Sequence, residues 1–222
     1  VTHEPKIFPV IHHHYPSTTL NEADVAFKCG ADGVFLISHG GQDNQIVRLA
    51  VEIKQKYPNW LVGVNLLSHR VLDAAWKLVE TPINMLWADY AGISSAPVNP
   101  EQVTLLKQAL DGRLLFAGVA FKGQDPEPNP AVAALNALRQ GFIPTTSGER
   151  TGVPPTVEKI VHMSLATNGK LAVASGMTLD NVADYSTYLS HILVSTGICD
   201  ASDAIIANRL KRLIANAKKR GP

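Results

Sequence analysis

Asp89 and Lys122 sit at the ends of two apolar runs, INMLWADY and LLFAGVAFK. A carboxylate and an ammonium brought together can act as base and electrophile, for proton transfer or enolisation next to a carbonyl. The same two charges can instead close a salt bridge, or leave Lys122 facing water. Another apolar run ends in three histidines, IHHHYP. Extended backbone sends alternate side chains to opposite faces, so His12 and His14 share one face and His13 takes the other. His12 and His14 are candidates for acid–base work or substrate contact. With His39 or Asp89 they also carry the donor types of a metal site. No HxH-plus-carboxylate spacing fixes a metal, and the expectation is no metal and no cofactor. Asn65, near the end of WLVGVNLL, can donate to a sugar or a base; His39 and Thr145 end comparable runs and are further substrate-binding candidates.

Two more runs stop at small polar residues and glycine. LAVA ends at Ser175-Gly176, and ILV ends at Ser195-Thr196-Gly197. Free backbone N–H groups where a strand turns into a helix make an anion site. Ser175, Gly176, Thr196 and Gly197 are therefore phosphate candidates. The loop SGERTG adds Ser147, Gly148 and Arg150. Its two glycines permit hinge dihedrals, as a moving lid needs. The planar fork of Arg150 suits a phosphate clamp, although a solvated arginine on a surface loop fits the same residues.

These candidates are positioned by a regular alternation. Strand-like runs cover residues 7–14, 33–39, 60–67, 83–90, 114–122, 142–146, 171–174 and 192–194. Helical patterns cover 20–28, 44–57, 71–79, a segment capped by Asn99-Pro100, 131–139, 156–165, a segment from Thr178 to about 188, and 203–218. Thr178 reads as an N-cap with Asp180 in the first turn. Pro100 is well placed at a first helical position. GVFLISH is a near-continuous apolar run, as a parallel strand buried on both faces requires. Alternation of strand and helix implies a parallel sheet. Eight units in 222 residues fit a single α/β domain, a (β/α)8 TIM barrel spanning residues 1–222. Barrels of this kind work at the C-terminal ends of their strands, often with phosphate on the loops after strands seven and eight, which is where Gly176 and Gly197 fall. Trp60, Trp76 and Trp87 read as packing residues rather than a base-stacking platform.

Composition excludes several classes. At 45% hydrophobic and 18% charged, the chain is globular rather than disordered. A formal net charge of +1 gives no reason to expect a nucleic-acid or anionic-membrane partner. No apolar run approaches the roughly 18 residues of a spanning helix. Cys29 and Cys199 are far apart and form no disulfide framework, which points to a reducing, cytoplasmic setting. The opening VTHEPKIFPV lacks a signal-peptide layout, and AKKRGP at the other end reads as a solvated helix end. No apolar stripe marks a dimer face, so a homo-oligomer stays open. Walker, GxSxG and GxGxxG signatures are missing.

TTSGERTGVPPTVEKI followed by LAVASGMTLDNVADY resembles the BtpA/SgcQ family over residues 145–182, and ADGVFLISHGG adds weaker support. The resemblance implies a ribulose-phosphate-binding type of barrel, a phosphate site, and a family linked to photosystem I biogenesis whose chemistry is open. The chain departs from the family at IHHHYP and at Ser195-Thr196-Gly197. The resulting expectation is an enzyme acting on a phosphorylated sugar or nucleotide-like molecule, by isomerisation, aldol-type cleavage or glycosyl transfer. Its rivals are a non-catalytic phosphate-ligand-binding assembly factor and a metal-dependent hydrolase using His12 to His14.

Overall fold

The computed structural model describes residues 4–218. Residues 1–3 of the opening segment and 219–222 of the basic tail lie outside them. Eight parallel strands, β1 (Lys6–His12), β2 (Gly33–Ile37), β3 (Leu61–Asn65), β4 (Met85–Ala88), β5 (Leu114–Gly118), β6 (Ile143–Thr146), β7 (Ala172–Ala174) and β8 (His191–Val194), close into a barrel in sequence order. Eight helices alternate with them: α1 (Pro16–Lys28), α2 (Asp43–Lys56), α3 (Val71–Leu78), α4 (Pro100–Leu110), α5 (Pro130–Arg139), α6 (Val157–Ala166), α7 (Val182–Ser186) and α8 (Ala207–Lys218). This is a single (β/α)8 TIM barrel. Among the described residues no helix is long and apolar enough to cross a membrane.

The helix starts follow local chemistry. Asn99 accepts from the N–H groups of Glu101 and Gln102, Asn129 from Val132, and Thr156 from Lys159, each satisfying an end donor. Several boundaries differ from the sequence reading. Thr178 does not cap α7: its hydroxyl accepts from Asp180 and Asn181 in a separate turn, and the helix starts at Val182 and runs only to Ser186. The last helix starts at Ala207, because residues 199–205 form a small loop closed by the Cys199–Ile205 bridge. The fifth strand stops at Gly118 rather than at Lys122, where the chain bends through Ala120 at φ 47°.

Two cores result. One lies between the strands' outer faces and the helices. The other fills the barrel interior with Phe8, Val10, Phe35, Ile37, Met85, Trp87, Phe116, Ala174 and Leu193. Phe8, Phe35 and Phe116 meet edge-to-face, with centroids 5.8, 5.8 and 5.1 Å apart, and plug the floor. Gly33 and Gly63 make this possible, since a Cβ at either would strike the Phe8 or the Phe35 ring. Below the plug, Arg113 donates to the carbonyls of Ile83, Leu110, Val79 and Thr81, tying the strand entrances to the helix ends. Trp60 is buried with its Nε1 donating to Ala31, and Trp76 is exposed.

His191 stacks on Phe8 at the same floor, with an interplanar angle of 13°, and burial pulls its pKa from 6.5 to about 4. Between these two values the unfolded chain binds the extra proton, so the His191 contribution to stability is full above pH 6.5 and is lost as pH drops towards 4. Urea melts at neutral pH and in acid should show this as a difference: over the same interval the parent's stability should fall relative to that of His191→Gln.

Candidate functional site

Strand alternation builds the site. Inward positions that are apolar in the barrel become polar two residues later: Val10 leads to His12, Ile37 to His39, Trp87 to Asp89 and Leu193 to Ser195. These side chains, with Lys122, Thr151, Ser175, Gly176 and Thr196, line a cavity of about 270 Å3 at the strands' C-terminal ends.

Asp89 is held from three sides. Asn65 Nδ2 donates to its Oδ1 at 2.9 Å. Gln124 Nε2 donates to its carbonyl at 2.6 Å and to that of Gly118 at 3.0 Å. Gly118 has no Cβ to overlap the Asp89 backbone, so the chain after β4 can lie against β5. Burial pushes the Asp89 carboxyl above the usual range, outweighing the opposing pull of the Asn65 hydrogen bond, Lys122 and His39. Among the described residues no ion pair joins Asp89 to Lys122. Lys122 Nζ donates instead to Thr151 Oγ1 at 3.0 Å. The mouth therefore holds a carboxylate and an ammonium that do not neutralise each other directly.

The three histidines part company. His12 faces the cavity, 5.2 Å from the His39 ring and 3.7 Å from Asp203 Oδ2. Burial lowers its pKa, Asp203 opposes this, and His39, His14 and Lys122 lower it further. His14 lies outside the cavity lining, 3.3 Å from the same Asp203 oxygen and more than half exposed. His13 points to the helices and is buried, with Nδ1 2.8 Å from Thr19 Oγ1 and Nε2 3.0 Å from Gln45 Oε1. Among the described residues no three His, Cys, Asp or Glu side chains are grouped to hold a metal ion.

On the opposite side stand the loops after β6, β7 and β8. Ser175 has φ 137° and Gly176 φ 70°, which aims the turn after β7 sharply. After β8, Ile198 and Cys199 donate to the Ser195 carbonyl, making one helical turn that starts at Thr196. Among the described residues the N–H groups of Gly176, Met177, Thr196 and Gly197 find no protein acceptor. Gly176 and Gly148 both press on the backbone of Val153 and Pro154, and Gly197 on that of Met177. Of the remaining candidates, Ser147 is buried, accepting from Lys122 N and donating to the Gly148 carbonyl. Thr145 is buried and bonds to Ile143, while Arg150 is exposed and outside the cavity lining. Asn65 stands behind Asp89, and Gly197 behind Thr196.

Lys159 was not among the sequence candidates. Its Nζ donates to the carbonyls of Ala120 at 2.7 Å and Ser147 at 2.9 Å, joining the loops after β5 and β6. A lysine in the first turn of a helix opposes the helix dipole, and that misplacement was the available signal. Thr151, Gln124 and Asp203 left none.

No family model matches the chain, and no curated protein matches it. The BtpA/SgcQ resemblance rests on its own residues. Solved structures do match. N-(5'-phosphoribosyl)anthranilate isomerase from Pyrococcus furiosus aligns over 96% of this chain and 98% of its own, with a TM-score of 0.63 and 15% identity. Thiamine phosphate pyrophosphorylase from Pyrococcus furiosus aligns over 97% and 96%, at 0.65 and 12%. KGPDC from Streptococcus mutans aligns over 97% and 98%, at 0.66 and 10%. At such identities the likeness establishes the shared fold.

Burial lowers the Lys159 pKa from 10.5 to about 8, with Glu149 opposing. In that window the unfolded chain holds more protons, so stability rises with pH from about 8 to 10.5. Across this range the parent's denaturation midpoint should rise relative to that of Lys159→Met, the difference being the lysine's contribution.

Proposed function

We propose that the chain is an enzyme that binds a phosphorylated small molecule in the barrel mouth. Its phosphate is received by the N–H groups of Gly176, Met177, Thr196 and Gly197. Asp89 exchanges a proton with the substrate carbon or hydroxyl beside it. Lys122 and His39 face the charge that develops, and His12 contacts the substrate. One observation carries this reading: an unneutralised, half-buried carboxylate shares a cavity of about 270 Å3 with the turns that present these unbonded N–H groups. Successive unpaired N–H groups in turns make anion-binding concavities, and a carboxylate raised by burial is better matched to proton transfer near neutral pH. Two of the solved barrels carry a phosphorylated compound in their names. The free thiols of Cys29 and Cys199 fit a reducing cytoplasm.

The resemblance of residues 145–182 to the BtpA/SgcQ family favours a second reading, a barrel that binds a phosphorylated ligand without turning it over. The two differ at Asp89. Titration with inorganic phosphate should move the amide resonances of Gly176, Met177, Thr196 and Gly197 first; shifts confined to other residues would end the phosphate assignment. A thermal-shift screen of phosphosugars and nucleotides then finds the ligand. On that ligand Asp89→Asn should keep binding and lose about a hundredfold or more in turnover. Binding with no turnover by the parent would favour the second reading.

A further inference from the structure

A second cavity, of about 670 Å3, opens beside the mouth between α3 and α4, beneath the loop from Asp89 to Asn99. It adjoins the first across Leu67, Trp87 and Asp89, which line both. Size separates their roles. Ligand pockets commonly span roughly 300–1,000 Å3; the mouth alone falls just short of that range, and the cleft lies well inside it. Its wall is mainly apolar, with Val71, Val98 and Leu106 contributed by both helices and their loops, and Trp87 and Tyr90 supplying aromatic faces. Such faces favour a flat ring over a flexible chain.

The few polar groups of the cleft are held in place. His69 lines it, and its Nδ1 lies 2.7 Å from Asp43 Oδ2. Asp43 is only 2% exposed, and the same oxygen accepts from Ser68 N at 3.0 Å. A buried carboxylate on one ring nitrogen fixes the imidazole's direction and leaves Nε2 for a ligand, the way oriented histidines are held in acid–base sites. Trp87 lines the cleft as well, and its buried Nε1–H has no acceptor among the described protein groups.

We infer that the cleft is the second half of the substrate site and receives a flat, largely apolar ring joined to the phosphorylated part. The substrate then lies across the rim, with its phosphate at β7 and β8, its reacting atoms at Asp89 and its ring between α3 and α4. His69 Nε2 meets a polar atom of the ring. The phosphate end and the reacting atoms at Asp89 rest on the function proposed above; the ring's place in the cleft does not.

Three probes test this: inorganic phosphate, a naphthyl phosphate whose ring and phosphate are joined by a flexible alkyl linker long enough to cross the rim, and uncharged 1-naphthol, each titrated into the full chain by calorimetry and tryptophan fluorescence. Naphthyl phosphate should bind about tenfold or more tighter than inorganic phosphate, a modest share of what a buried ring can add. Gln102→Trp, at an exposed position of α4 on the cleft, should fill it and remove that advantage while leaving phosphate affinity unchanged. The His69 ring resonances should shift with naphthyl phosphate in the parent, a readout that does not depend on the variant. Equal affinities for the two phosphates, an advantage that survives Gln102→Trp, or an unmoved His69 would each overturn the inference. If naphthol binds, moves His69 and is blocked by Gln102→Trp while inorganic phosphate does not bind, the cleft stands and the phosphate reading falls.

Discussion

Closing eight parallel strands forces every second side chain of each strand into one narrow tube. The tube has to be filled somewhere and can be opened only at an end. Here the floor takes the filling: three phenylalanine rings packed edge-to-face, made possible by inward glycines on β2 and β3. Above the plug comes one more apolar layer, with Val10, Ile37, Trp87 and Leu193, and the inward residues beyond it have no apolar layer left to join. They are His12, His39, Asp89 and Ser195, and they meet at the opening. The candidate site is the polar continuation of the core, and its residues share a rim because their strands share a register.

The electrostatics of that rim depend on a clamp. Asp89 leaves its strand against Gly118, is gripped at its carbonyl by Gln124 and at its carboxylate by Asn65, and is kept half-buried by these contacts. Lys122 is drawn aside by Thr151. The result is a charge pair held apart. An ion pair closed across the mouth would have stabilised the scaffold and silenced both groups; kept apart, each can interact with a ligand instead.

The barrel was legible because each strand is a short apolar run buried on both faces, and each helix has its own stop and start residues. The Asn99 cap, the glycine-bounded ends and the count of eight all follow from neighbours in sequence. The rim was legible only in part. Period two separates His12 from His13, but it does not say which one faces inward; that is set by the register of β1 between β2 and β8. Thr178 looked like a cap because its hydroxyl does serve nearby N–H groups, in a turn that ends before the helix starts. Asp203 reaches the mouth from the loop before α8, 189 residues from His14, and such a meeting leaves no local trace. The cleft was invisible for the same reason, since it is a spacing between two helices.

The crossings of Gly148 and Gly176 on Val153-Pro154, and of Gly197 on Met177, have a mechanical consequence. With backbone lying directly on backbone, three successive loops are stacked like interleaved plates and have no compressible side chains between them. The loop after β6 cannot move inward by itself: pushing Val153 and Pro154 would displace the turn after β7, and tilting that turn would disturb the one after β8. The positions of the unbonded N–H groups of Gly176, Met177, Thr196 and Gly197 are therefore set jointly by the three loops.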